Sequence, residues 1–244
     1  MKRINKSHQP QELQQWRAAN VAMPQNLRYG RASFPMDAVL SALLHEQGYL
    51  CAYTLKRIDG VGAHIEHLKP QSRCLAEDAE RRTNQGHCEH EDVDWRNMVA
   101  CFPKPNAPRP DYGAIVKDDW WDKALFVSPL AQNCEQRFKY AQDGSVAPAV
   151  DSDDAARETI KRLGLNDKKL QELRHNAMLR AGIHRKSPNP ICSIAQVQRL
   201  VQNWQVRYAD RSFTEFCTVM IQAANAHLEW VNRRSLRKSA ARGG

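Results

Sequence analysis

Two apolar stripes near the C-terminus constrain the fold of this chain most strongly. Ser193 and Gln196 stand around Ile194, Val197, Leu200, Val201, Trp204 and Tyr208, and Ser212 and Glu215 precede Phe216, Cys217, Met220, Ile221, Ala224, Leu228 and Val231, with Phe213 between them. Apolar residues three and four apart share one face of a helix, and Ser followed three residues later by Gln or Glu is a capping-box signal. The spacing therefore predicts two long amphipathic helices whose stripes form core, not a cofactor or partner site. The preceding stretch is helical as well. SDDAARETIKRLG (152–164) opens on capping acids and stops at Gly164. Asn166 is positioned to cap a helix carrying Leu170, Leu173, Ala177 and Ala181, ended by Gly182.

Residues 1–130 have a different texture, with most of the Pro, His and Trp. Pro10 opens a short helix through Trp16, and PMDAVLSALLHEQG (35–48) is a helix bounded by Pro35 and Gly48. YLCAYT (49–54) and the segment around 63–68 predict a hairpin across Asp59, Gly60 and Gly62. Residues 71–92 have charge without periodicity and are expected to be a loop or insertion. WRNMVACF (95–102) suits a short helix, whereas PKPNAPRPDYG (103–113), with four prolines, cannot be a regular element.

Among its 244 residues the chain has no apolar run long enough to span a membrane, and no apolar segment follows its basic N-terminus, so neither a membrane span nor a secretory signal is expected. Seven scattered cysteines indicate free thiols and a reducing, cytoplasmic compartment. A net charge of +9 favours phosphate-bearing partners, because each phosphate neutralised by Lys or Arg releases a counterion.

The stretch AHIEHLKPQS (63–72) concentrates chemistry: His64, Glu66 and His67 lie within four positions and Pro70 ends the segment. In an extended chain His64 and Glu66 share one face and His67 points to the other, so one pocket can use all three only if the strand ends near His67. Phosphodiester hydrolysis needs a base for water and a cation for the developing charge. An imidazole titrating near neutral pH and a carboxylate holding a divalent ion meet that need. Asn97, in DWRNMVAC, can brace the loop that carries the base through backbone hydrogen bonds.

YLCAYT, HIEHLKP and DWRNMVACFP, taken in that order, resemble the HNH (ββα-metal, His-Me finger) endonucleases. MKRINKS, YGAIVKDDWWDKALFVSPLAQNCEQRFKYAQDG and AARETIKRLGLNDKKLQELR extend the likeness, across most of residues 1–182, to the PtuB-type effector nucleases of Septu and retron anti-phage systems. The resemblance implies a mainly α-helical, α+β protein with a small ββα-metal core. The expected organisation is an N-terminal helical segment (1–47), a nuclease core (48–130) with an insertion at 71–92, and a helical C-terminal region (131–244).

The resemblance further implies His67 as general base, Glu66 as metal ligand, His64 as a second ligand or a neighbour of one, and Asn97 as the middle Asn of the signature. The closing-helix ligand falls among Asp111, Asp118, Asp119 and Asp122, with Asn106 a further candidate and Asp118 the working choice. Mg²⁺ or Mn²⁺ is the implied cofactor. Nucleic acid is the substrate, DNA or RNA. The implied partners are a PtuA-type ATPase and, in retron settings, a reverse transcriptase with its multicopy single-stranded DNA. Two features depart from the pattern. The zinc-holding CxxC pairs of the broader fold are broken here, at Cys51–Thr54 and at Cys101–Lys104, so no zinc clamp is expected. No His lies between residues 91 and 174 to close the site.

Ordinary structural roles compete with each assignment. Glu66 has Lys69 nearby as a pairing partner, and His67 could cap a helix. His87, Cys88 and His90 fit a solvated loop better than a zinc site with Cys74 or Cys101. Trp120 and Trp121 fit core packing better than base stacking, and the terminal arginines fit a solvated face. The competing function class is a non-catalytic nucleic-acid-binding or adaptor subunit that recruits a partner ATPase.

Overall fold

The computed structural model describes residues 1–84, 86–104 and 107–240, with side chains of the last helix given as far as Arg233. Helices dominate, and the strands form two short antiparallel pairs, so the architecture is mixed α and β. In chain order come α1 (Gln11–Asn20), α2 (Met36–Gln47), β1 (His64–His67), α3 (Gln71–Thr83), β2 (Met98–Cys101), α4 (Ala114–Lys117), β3 (Phe138–Tyr140), β4 (Val146–Pro148), α5 (Asp154–Arg162), α6 (Lys168–Arg180), α7 (Ile194–Gln205) and α8 (Cys217–Ala240).

The hairpin expected from 49–54 and 63–68 does not form. β1 pairs instead with β2, His64 opposite Cys101 and His67 opposite Met98. YLCAYT is a tight turn, with Tyr49 and Leu55 at positive φ and Cys51 N–H bonded to Lys56 C=O at 2.8 Å. WRNMVACF is likewise not a helix. Asp94 caps one 3-10 turn (Trp95–Asn97), and the chain then extends into β2, buried at every position. β2 is covered on both sides, so its run is uniformly apolar and gives no alternating pattern.

A two-stranded sheet leaves an open edge, and here a side chain closes it. The Gln47 amide accepts from Ala100 N–H at 2.7 Å and donates to Ala100 C=O and Leu50 C=O, each at 2.8 Å. Gln47 is buried, so those bonds replace water that cannot reach the edge. The N-terminal strap lies over the same strand. Lys6 Nζ donates to Met98 C=O at 2.6 Å and sits 4.1 Å over the Trp95 ring, whose indole N–H bonds Ser7 C=O.

Residues 71–92, expected as a loop, contain α3. Its buried face consists of Cys74 and Asp78 alone, one apolar and one acidic, so no apolar period marks it. In the C-terminal half the helices fall where the stripes indicate, with two shifts at their starts and one at an end: α7 stops at Gln205, so Tyr208 lies beyond it and is exposed instead of packed in the core. Asp167, not Asn166, caps α6; the Asn166 amide pairs instead with both backbone groups of Val146, each at 2.8 Å. α8 begins at Cys217 rather than at Ser212, because Glu215 accepts from Arg57 N–H and Phe213 docks on Gly48. Gly164 ends the loop after α5 at φ +54°, where a Cβ would lie 2.5 Å from Asp111 C=O, so only glycine fits.

One buried apolar cluster runs from Met1 through Val99 and Leu163 to Ala224, shared by residues 1–47, 48–130 and 131–244. Trp120 and Trp121 pack against Phe126 at the edge of that core. All seven cysteines are free. Among the described residues, no helix is long and apolar enough to cross a membrane.

Replacing Gln47 by Met keeps the volume and strands Ala100 N–H and Leu50 C=O. Urea denaturation of Gln47→Met should show a loss of about 1–3 kcal/mol. An unchanged midpoint would mean the strand edge is satisfied some other way.

Candidate functional site

Three residues after β1 comes Pro70, whose ring has no N–H for a strand and whose φ suits the residue before a helix, so α3 starts at once. This abrupt change brings Gln71 of α3 back toward His67. Behind them α4 and its following turn approach from the other side. The result is an open cleft of about 400 Å³ lined by His64, Glu66, His67, Gln71, Lys117 and Arg109, with Asp118 and Asp119 on its rim.

His67 is 5 % exposed, yet its ring borders this cleft. Its Nε2–H donates to Asp92 C=O at 2.8 Å, because a carbonyl can only accept. Burial lowers its pKa below the ordinary 6.5, the Asp92 carbonyl only partly offsetting the effect, so the ring is neutral at neutral pH. The lone pair then sits on Nδ1, which accepts from the Gln71 amide at 3.2 Å. Tyr29 meets the ring edge-on at 4.7 Å between centroids and fixes its plane.

Glu66 lies on the opposite face of β1. Burial pushes its carboxyl up, but His64 and Lys117 outweigh burial and hold it below the ordinary carboxylate range. Oε1 is 2.9 Å from Lys117 Nζ, and Oε2 is 3.6 Å from His64 Nε2. Burial alone would lower the His64 pKa; the Glu66 carboxylate and the Pro103 carbonyl, to which Nδ1–H donates, raise it instead. The pairing of Glu66 with Lys69 is not found: Lys69 bonds Glu77 and Glu91.

Asn97 does not line the cleft. Its Oδ1 accepts from Lys69 N–H at 2.8 Å, and its Nδ2 donates to Lys69 C=O and Glu91 C=O, each at 3.0 Å. It thereby ties the end of β1 to the 3-10 turn Glu91–Val93, the turn whose Asp92 carbonyl holds His67. Of the four candidate aspartates, Asp118 and Asp119 line the cleft; Asp111 does not, its backbone lying against Gly164, and Asp122 caps the following turn through Ala124 and Leu125 N–H. Asn106 lies outside the described residues.

Lys117 is the site residue that sequence reasoning missed. It is 1 % exposed, and its ammonium donates to His67 C=O at 3.0 Å as well as meeting Glu66. A lone Lys at the end of AIVK gives no pattern. The only sequence signal is a cation followed directly by two aspartates.

The segment of His87, Cys88 and His90 is not a free solvated loop. Glu89 N–H donates to Asp78 at 2.9 Å, and His90 Nδ1–H donates to Leu27 C=O at 3.0 Å. Asp78, His90 and Asp92 each bring a ligating atom within 4.8 Å of the others, a group that could hold a metal ion. Cys74 serves elsewhere, packing against Lys69 C=O and the Asn97 amide.

No protein-family model matches the chain, and no curated protein matches it.

Removing Lys117 leaves an ionised Glu66 with too little compensation. Lys117→Met should destabilise the protein by about 3–5 kcal/mol. Adding Glu66→Gln should recover part of that loss, a coupling of roughly 1–3 kcal/mol in a double-mutant cycle. Strictly additive losses would show that the two groups do not interact.

Proposed function

We propose that this chain is a metal-dependent endonuclease of the HNH type that hydrolyses phosphodiester bonds in nucleic acid. The observation that carries the reading is the tautomer of His67. Its Nε2–H is held by a backbone carbonyl, which leaves a neutral Nδ1 lone pair at an open cleft. A general base must present such a lone pair to water and must have its other nitrogen fixed. The chain order β1, β2, α4, with β1 and α4 lining the cleft and β2 paired behind β1, supports a ββα unit with α3 inserted between the strands.

The donor set suits a divalent cation. His64 donates Nδ1–H to Pro103 C=O, which turns Nε2 toward Glu66 Oε2, and a second-sphere carbonyl of this kind commonly orients metal-binding histidines. The 3.6 Å between those atoms is long for a hydrogen bond, so a cation bound there would be held by both. Glu66 and His64 would hold Mg²⁺ or Mn²⁺, with Asp118 near enough on the rim to contribute. The cation supplies charge stabilisation at the phosphate and the leaving oxygen. His67 Nδ1 takes the proton of water, displacing its bond with Gln71, and the Asp92 carbonyl steadies the imidazolium that forms. Lys117 and Arg109 add positive charge where a phosphate would enter, and Asn97 acts as a positioning residue. The resemblance implies a cytoplasmic enzyme working with a PtuA-type ATPase and, in retron settings only, with a reverse transcriptase and its multicopy single-stranded DNA.

One observation favours the alternative, a non-catalytic nucleic-acid-binding or adaptor subunit. The Lys117 ammonium already compensates one Glu66 oxygen, as a charge that substitutes for a cation would.

The full chain should be assayed on plasmid, single-stranded DNA and RNA with Mg²⁺ or Mn²⁺. His67→Asn, checked for unchanged thermal unfolding, should lower cleavage at least about 10²-fold, and chelation should abolish it. Equal cleavage by the variant would assign the activity to a contaminant. Chelator-insensitive, salt-sensitive binding without cleavage would establish the adaptor.

A further inference from the structure

Behind His67, on the side away from the cleft, lies a second set of ligating groups. Asp78 projects from α3 and is fully buried, Asp92 is 2 % exposed, and His90 lies between them. Two carboxylates this close and this dry repel each other unless a cation or strong donors compensate them. Asp78 is well supplied. It accepts from Glu89 N–H and His90 N–H at 2.9 and 3.3 Å, and faces Arg28 and Arg81 at 3.5 and 3.4 Å. Asp92 is not. Its Oδ2 accepts only Tyr29 N–H, at 3.0 Å, and its buried Oδ1 has no hydrogen-bond partner. Arg28 does not repair this: its Nη1 faces Asp78 at 3.5 Å and makes no hydrogen bond. The His90 ring stands with Nδ1 3.8 Å from Asp78 Oδ2, too far to bond it directly, and that nitrogen must give up its bond to Leu27 C=O to ligate an ion.

We propose that Asp78, His90 and Asp92 form a second divalent-cation site of the Zn²⁺ class, separate from the Glu66–His64 pair. Two carboxylate oxygens and one imidazole nitrogen are three of the four ligands Zn²⁺ takes, with water able to supply the fourth. Arg28 is the competing cation and must give way at Asp78 as the ion enters. The site clamps α3 to the Glu91–Val93 turn, and so fixes the same Asp92 whose carbonyl orients His67. Its role is structural: the ion stabilises the platform behind the base. The inference does not rest on the nuclease reading, and neither falls with the other.

The test uses full-length protein stripped by a chelator, carrying Glu66→Gln to remove the cleft pair. Zn²⁺ titration against a chromophoric competitor should show one equivalent bound. At a hundredfold excess over Kd the thermal midpoint should rise by roughly 5–10 °C. His90→Gln and Asp92→Asn, each in that background, should weaken uptake at least tenfold, and Arg28→Gln should tighten it. Absence of saturable uptake by the Glu66→Gln protein overturns the site, as does uptake that neither His90→Gln nor Asp92→Asn alters. Folding of the variants does not limit the test, because the stoichiometry of the parent is read directly.

Discussion

The pairing of β1 with β2 is the constraint on which the rest of the candidate site depends. The two strands are separated by α3 and an irregular stretch, so closing them costs loop entropy that a four-residue ladder alone recovers poorly. Side chains at both ends make up the difference. Gln47 closes the outer edge of β2, and Asn97 bonds the backbone just beyond β1. Both act as extra backbone, offering an amide where a third strand would offer a peptide group. The ladder sets which face each residue of HIEH presents, because a one-residue slip would exchange His67 with Glu66.

Around this ladder the charged groups are arranged in a chain of compensation. Lys117 lies against Glu66 and the His67 carbonyl, Glu66 lies against His64, and His64 bonds Pro103. Against the effect of burial, His64 and Lys117 hold the Glu66 carboxyl low and Glu66 holds the His64 imidazole high. The His67 ring itself bonds no ion: its partners are a carbonyl, an amide and a phenol ring. That separation keeps a neutral imidazole about one residue away from an ionised carboxylate, the division of labour that acid–base chemistry beside a cation requires.

The Glu91–Val93 turn links this network to the platform behind it. Asn97 bonds Glu91, Asp92 bonds His67, and His90 and Glu89 bond Asp78 of α3. The turn is therefore held from three directions, which is how an irregular segment can fix the His67 ring as firmly as a strand would. The inserted helix is part of the site's support, not a decoration on it.

Local chemistry in the sequence determined the C-terminal helices, their glycine stops, and the clustering of His64, Glu66 and His67 at the end of an extended segment. Those features follow from periodicity, capping and the reach of a few residues. Tertiary structure alone decided the strand partner of HIEH, the helix hidden in 71–83, and the burial of Lys117 beside Glu66. Each of these joins residues far apart in the chain, and each uses a side chain whose type is common on surfaces. A buried Lys, Gln or Asp looks in sequence like a solvated one. Only the packing that removes its water reveals which partner it must have, and for Asp92 the missing partner is what the fold itself exposes.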